Sequence, residues 1–222
     1  MARILAVDTS GPSAIVVLSR DGDLHDIRFD DPAGRVDIAK HAYRLLAQLE
    51  MDVRDLTNLA VGVGPGRFIR TRIGVAFING LASATRLPIT PVDSLAILGY
   101  ACVGDLHAIG SVREEVRGRL IAAWGLLDPD SALFNPAMPW KVPPKVLSVE
   151  DFADFHKEDA ELWAVDGESS EISLEDKYGM EINCAKVHGD AKARSLLKLA
   201  IEGVKRNRFV IFAAPQYHRD AV

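Results

Sequence analysis

Hydrophobic runs and turn signals divide the first part of the chain into strands and helices. Residues 3–8 (RILAVD) form a candidate buried strand, and a second apolar run, AIVVLSR, stops at Asp21-Gly22, which is a strong hairpin signal. Residues 24–29 alternate between apolar and polar positions and predict a third strand. The chain is therefore expected to open with a three-stranded meander.

Two predicted helices in this half have unusual surfaces. In the first, predicted over 36–50, nine of the fourteen positions from Val36 to Leu49 are apolar, which is more than one core-facing stripe needs. The second, predicted over about 70–86, repeats small residues at four-residue spacing beside an apolar stripe. A glycine in mid-helix costs roughly 0.5–1 kcal/mol relative to alanine, so Gly74 and Gly80 predict a second helix that approaches closely, more commonly within the chain but otherwise on a partner.

Together the two helices predict an apolar docking face. Its candidate residues are Ala39, Ala42, Tyr43, Leu46, Leu49, Ile73, Ala76, Phe77, Gly80 and Ala84.

The remaining pattern predicts two unequal lobes. A strand at 57–63, another in LPITPV and a helix in DSLAILGYACV complete the order βββαβαβα, which favours a mixed sheet flanked by helices. Residues 107–145 look like a second run of strands, and the prolines between 129 and 144 predict a long irregular connection. The predicted lobes are residues 1–104 and a smaller lobe of residues 105–222.

The segment AVGVGPGRFIRTRIG, residues 60–74, allows two interpretations. Its glycines and proline permit a sharp strand-to-helix turn. Such a turn also aims backbone N–H groups at a site where an anion binds, and arginines add charge-assisted contacts. Neither a Walker lysine nor a dinucleotide fingerprint is present, which favours the structural turn. The residues concerned are Gly64, Pro65, Gly66, Arg67, Arg70 and Arg72.

Composition narrows the class of protein. The 222 residues are 48% hydrophobic and 26% charged, as in ordinary globular proteins, and the net charge of −5 argues against binding nucleic acid through bulk charge. The two cysteines form no pair-like motif, and the N-terminal apolar run is too short for a signal peptide or a membrane span. These features predict a cytoplasmic protein.

Three stretches resemble a known family in their order and spacing: ILAVDTS, GVGPGRF…RIG with the helix after it, and LPITPVDSLAIL. The chain resembles the bacterial TsaB (YeaZ-like) tRNA threonylcarbamoyladenosine biosynthesis proteins, well over residues 1–100 and weakly beyond. The resemblance implies a two-lobed α/β fold of the actin/Hsp70/sugar-kinase (ribonuclease H-like) type, a mixed sheet with flanking helices and a reduced second lobe. The family's usual pattern here is GPGSFTGLRIG, and this chain departs from it at Arg67, Ile69 and Arg70. These departures indicate a divergent member.

The resemblance also implies a role. Members of the family are non-catalytic accessory subunits that pair with the homologous catalytic subunit TsaD through their first two helices, here 36–50 and 70–86, or form homodimers when alone. With a TsaE-type ATPase, the assembly transfers a threonylcarbamoyl group from its adenylate onto an adenosine beside the tRNA anticodon. The resemblance implies no cofactor on this chain, ATP and metal on the partner, tRNA contact only within the complex and no membrane contact.

Three alternatives remain to be weighed. A phosphotransferase on the same fold would hold phosphate at Asp8, Thr9 and Ser10 and in VDGES, residues 165–169, but VDGES lacks the expected paired small residues, so we interpret the first three residues as a vestigial phosphate turn. A protease is disfavoured because the chain has no His-Glu-x-x-His or Gly-x-Ser-x-Gly motif. The basic helix predicted over 190–206, or Arg67 and Arg70, could contact tRNA, although charge runs on a helix are usually solvated faces.

Overall fold

The computed structural model describes residues 2–20, 23–29, 37–102, 109–114, 120–126, 135–155, 162–166 and 184–217. The strands are β1 (Ile4–Asp8), β2 (Ala14–Arg20), β3 (Asp23–Phe29), β4 (Asn58–Gly62), β5 (Ile89–Val92), β6 (Ile109–Glu114), β7 (Leu120–Leu126), β8 (Trp140–Leu147), β9 (Leu162–Asp166) and β10 (Cys184–Val187). The helices are α1 (Ile38–Gln48), α2 (Phe68–Thr85), α3 (Ser94–Cys102), α4 (Val149–Phe155) and α5 (Gly189–Lys205), with a short 3-10 turn at Val53–Asp55.

The described strands form two five-stranded sheets with the same topology. The first has the order β3-β2-β1-β4-β5 and the second β8-β7-β6-β9-β10. In each sheet the first three strands of the chain pair antiparallel, and the fourth and fifth add in parallel. The predicted order βββαβαβα and the mixed sheet are thereby confirmed for the first lobe, and the second lobe repeats the sheet.

The first sheet is buried on both faces, which explains its nearly continuous apolar strands. Because side chains alternate along a strand, Ile4 and Ala6 of β1 enter the core that contains α3 and α5. Leu5 and Val7 enter the opposite core, beneath α1 and α2. None of the described helices is both long and apolar enough to cross a membrane.

The two lobes exchange helices across the layer between their sheets. Helix α3 follows the first sheet but packs on β6, β7 and β9, whereas α5 follows the second sheet but packs on β1, β2 and β5. Residue 104 therefore lies between the two sheets in sequence, yet α5 and the residues after it pack on the first lobe. The outer face of the second sheet carries the seven-residue α4, whose Phe152 meets Trp163 edge-on at 5.0 Å between ring centroids.

The prediction of an irregular proline-rich connection is wrong at its C-terminal end. Pro143 and Pro144 lie inside β8. This strand pairs antiparallel with β7, and the pairing register shifts between Ala122 and Trp124 of β7. Because β8 is the edge of its sheet, one side of the strand needs no ladder donors, and an edge is where proline is tolerated. Residues 127–134, including Pro129, lie outside the described part of the chain.

Candidate functional site

The glycine-rich turn between β4 and α2 is bonded to its own lobe. Gly64 has φ of +100°, a conformation that favours glycine, and its N–H donates to Ser94 Oγ at 3.0 Å. Its carbonyl accepts from the Ser94 N–H at 2.8 Å, and the Arg67 N–H donates to the carbonyl of Ser10 at 2.8 Å. Pro65 is buried as well. These contacts favour the structural turn over an anion site.

The predicted phosphate turn is buried beneath the start of α2. Asp8 is only 3% exposed, and its Oδ1 accepts from the Ser10 N–H at 3.0 Å and from Ser94 Oγ at 3.3 Å. Thr9 Oγ1 donates to the carbonyl of Arg70 at 2.6 Å. The turn therefore ties β1 to α2 and α3 through its own polar groups.

Two glycines show how closely protein atoms surround this turn. A Cβ on Gly62 would lie 2.4 Å from Asp8 Oδ1, and a Cβ on Gly74 would lie 2.5 Å from Thr9 Oγ1. The sequence predicts a second helix beside Gly74, but the residue that lies there is Thr9, on the turn after β1 of the same chain. The second hairpin of the phosphotransferase alternative falls partly on residues 167–169, which lie outside the described residues.

The three arginines of the turn have different surroundings. Arg70 is buried, and its Nη1 donates to the carbonyl of Pro12, so this side chain closes over the first hairpin. Arg67 is exposed, as is Arg72, while Gly66 is half-buried. Of the three, Arg70 has the clearest structural role.

On α1 the predicted docking face divides into a buried and an exposed side. Ala42 and Leu46 are 2% and 3% exposed and pack in the core against the first sheet. We therefore correct the prediction by removing these two from the docking face, because the periodicity of the helix turns them towards the sheet. Tyr43 is 59% exposed, and Ala39 and Leu49 are half-buried.

On α2 the small residues lie on an exposed stripe. Ala76, Gly80 and Ala84 are exposed, and Ile73 and Phe77 beside them are half-buried. A Cβ built on Gly80 would meet no heavy atom within 4 Å among the described residues. The close neighbour that the sequence predicts for Gly80 is therefore not found in the described part of this chain.

The last described residues run back over α2, which sequence analysis missed. We call residues 210–217 the strap. Val210 bridges to Ile89 at the edge of the first sheet. The Asn79 side chain donates to the Ala213 carbonyl and accepts from the Ala213 N–H, each at 2.9 Å. The Gln216 N–H donates to the Val63 carbonyl at 2.7 Å. The strap is thus fixed along α2 and the glycine-rich turn.

An aromatic cluster joins the end of the strap to the start of α2. The Arg72 guanidinium lies 3.8 Å from the centroid of the Phe68 ring, and its Nε donates to Tyr217 Oη at 2.6 Å. The Phe68 and Tyr217 rings are 5.0 Å apart between centroids. The stretch APQYHR, residues 214–219, weakly resembles the same family and is the sequence signal that points to this segment.

Replacing Asn79 by alanine is expected to loosen the strap without unfolding the lobe. Two neutral hydrogen bonds are lost, each with a net value of about 0.5–1.5 kcal/mol, so opening of the strap becomes roughly 5- to 150-fold more frequent. Hydrogen exchange at the Ala213 amide measures this opening. The control is Gln48→Ala on the exposed side of α1, which leaves that exchange rate unchanged; equal rates in Asn79→Ala and wild type would contradict the strap contact.

Comparisons with known proteins find similar sequences and a similar fold. A family model described as TsaD, tRNA N6-adenosine threonylcarbamoyltransferase, matches residues 35–111, which include α1 and α2. The tRNA threonylcarbamoyladenosine biosynthesis protein TsaB of Escherichia coli is 30% identical over 128 residues, 54% of this chain and 49% of that protein. An uncharacterised protein of Mycobacterium tuberculosis is 30% identical over 122 residues, 52% of this chain and 56% of that protein. The chain thus spans about half the length of these curated relatives.

A solved structure shares the fold of this chain. YeaZ from Pseudomonas aeruginosa matches with a TM-score of 0.72 at 21% identity, over 98% of this chain and 100% of that one. This likeness confirms the predicted two-lobed α/β architecture. This chain is thus similar in sequence to proteins named TsaB over about half its length, similar to the TsaD family model over α1 and α2, and similar in fold to YeaZ.

Proposed function

We propose that this protein is a non-catalytic accessory subunit of the machinery that makes N6-threonylcarbamoyladenosine in tRNA. In this role it pairs with a TsaD-type catalytic homologue through the exposed sides of α1 and α2. The observation that carries the proposal is the exposed stripe of Ala76, Gly80 and Ala84. Small residues let a second helix approach more closely than the usual 8–10 Å between axes, and the space beside Gly80 is open for it.

The surroundings of the stripe support a helical partner. Tyr43 on α1 is a large exposed side chain of the kind enriched at the centre of protein interfaces. Ile73 and Phe77 line the stripe and are half-buried, so a partner could bury their remaining surface. The family model for TsaD covers both helices, which is consistent with pairing between homologous chains.

The non-catalytic part of the proposal is supported by the closed turn at Asp8. Its carboxylate is engaged by Ser10 and Ser94, and a Cβ on Gly62 would already collide with it. In the proposed assembly the partner holds ATP and metal, a TsaE-type ATPase takes part, and tRNA is contacted only in the complex. The chain acts in the cytoplasm and pairs with a second copy of itself when the partner is absent.

Mixing the chain with the TsaD-type protein of the same genome tests the pairing. We expect a one-to-one complex in size-exclusion chromatography with light scattering, and modification of tRNA that needs both chains. A control mixture replaces the TsaD-type protein by an unrelated protein of similar charge. Failure of the two chains to associate at micromolar concentration would rule the pairing out.

Titration of ATP into the isolated chain separates the accessory subunit from the phosphotransferase. We expect no saturable heat of binding by calorimetry, because the turn that would hold phosphate is occupied by its own hydrogen bonds. Micromolar ATP binding together with turnover on a small substrate would instead favour the phosphotransferase.

A further inference from the structure

Two separate segments of this chain contain no acidic residue. Residues 56–92 contain four arginines and no aspartate or glutamate, and residues 203–217 contain three basic residues and no acidic one. The chain as a whole carries 31 acidic residues and a net charge of −5. Glu202, directly before the second segment, forms ion pairs with Lys205 and Arg206, so the charge argument rests on Arg208 there and on the exposed arginines of the first segment.

The fold brings these two segments together. The strap lies against β5 at Val210, against α2 at Ala213 and against the glycine-rich turn at Gln216. Arg67 and Arg72 are exposed at the start of α2, Arg86 directly after its end, and Arg208 just before the strap. The strap and α2 thus carry exposed arginines on a protein of net negative charge.

The strap also carries two large apolar side chains in solvent. Ile211 is 94% exposed and Phe212 is 71% exposed, and both directly precede Ala213, which is bonded to Asn79. Along the helix, Ala76 lies one turn before Asn79, so the strap borders the exposed stripe of α2. Isolated exposed apolar residues are normal, but two consecutive ones beside an exposed helix face indicate a surface that is covered in an assembly.

We infer that the strap forms the second half of the docking surface, and that its occupant is a protein face that is apolar at its centre and acidic at its rim. This inference rests on the proposed pairing and assigns that face to the TsaD-type partner. RNA would satisfy the arginines but would leave Ile211 and Phe212 without apolar contacts. A second copy of this chain would bring the same arginines against one another across a two-fold axis, which opposes association.

The charge argument predicts opposite salt dependences for the two complexes. Between about 0.1 M and about 1 M salt the Debye length falls from about 10 Å to about 3 Å. Screening then weakens the complex with the acidic partner and strengthens the homodimer. Sedimentation velocity on the chain alone and on the mixture measures both trends, and a heterocomplex that tightens with salt would overturn the inference.

Variants of the strap test whether its exposed apolar side chains contact the partner. The double variant Ile211→Ser with Phe212→Ser should bind the TsaD-type protein at least roughly tenfold more weakly, while its melting temperature stays at the wild-type value because both side chains are exposed. The double variant Arg67→Glu with Arg86→Glu tests whether the arginines attract an acidic partner, and it should weaken binding most at low salt. The matched control is Lys186→Glu, an exposed charge on β10 of the second sheet, which should bind like wild type.

The outcomes separate this inference from the proposed function. If strap and arginine variants bind normally while Gly80→Leu does not, the strap is not part of the surface but the pairing stands. If the wild-type chain does not bind the TsaD-type protein, both fail. If the arginine variants lose binding to tRNA by the isolated chain and keep partner binding, these arginines contact RNA and the inference is overturned.

Discussion

Replacing Gly80 by leucine is expected to disrupt pairing with the TsaD-type partner and to leave the isolated chain folded. In the isolated chain, a Cβ at this position meets no heavy atom within 4 Å among the described residues, so the larger side chain extends into solvent. Removing a mid-helix glycine also gains roughly 0.5–1 kcal/mol of helix propensity. In the complex the same side chain occupies the space that the partner helix needs. Overpacking costs about 1–3 kcal/mol, which corresponds to a dissociation constant roughly 5- to 150-fold higher.

The measurement is a binding isotherm with the TsaD-type protein, accompanied by a thermal melt of the variant alone. Lys198→Leu, at an exposed position of α5, is the control for adding an apolar side chain to a helix surface, and we expect it to bind normally. Normal binding by Gly80→Leu would show that the exposed stripe is not the contact, and would leave the exposure of Ala76 and Ala84 without a function.

The order of elements in the first lobe could be predicted because each element carries its own local signal. β1 is a continuous aliphatic run, and glycines and prolines end β4 and start α2. The residues at which these elements begin and end are harder to predict from the sequence. α2 begins at Phe68, two residues before the predicted start, where the Arg67 N–H finds its acceptor in Ser10 on a distant turn. A contact over that sequence separation has no counterpart in local propensity.

Other features depend on contacts that local pattern does not contain. The sequence shows that α1 has more apolar residues than one core-facing stripe needs. It does not show which side of the helix faces the sheet, and this orientation buries Ala42 and Leu46 and exposes Tyr43. The tolerance of β8 for Pro143 depends on its place at the edge of the sheet, which is fixed by strand order and not by its own residues. The strap has no periodicity at all, and its position follows from hydrogen bonds such as those between Asn79 and Ala213.

Gly74 and Gly80 look alike in sequence, yet the structure gives them opposite expected responses to alanine. At Gly74 the added Cβ would lie 2.5 Å from Thr9 Oγ1, which is held by its hydrogen bond to the Arg70 carbonyl and is fully buried. We expect Gly74→Ala to lower the stability of the isolated chain by about 1–3 kcal/mol, after any gain in helix propensity. For a chain of this length that lowers the melting temperature by about 2–12 °C.

Gly80→Ala is the matched control, because it makes the same substitution in the same helix at an open position. We expect it to raise the melting temperature by about 1–4 °C through helix propensity alone. A third variant locates the clash: in a Thr9→Ala background the obstructing oxygen is gone, so Gly74→Ala should cost far less than it does in wild type, and the double-mutant cycle should show a coupling of at least about 0.5 kcal/mol. If both glycines respond alike, or if Thr9→Ala leaves the cost of Gly74→Ala unchanged, the contact between the first hairpin and α2 does not set the requirement for glycine.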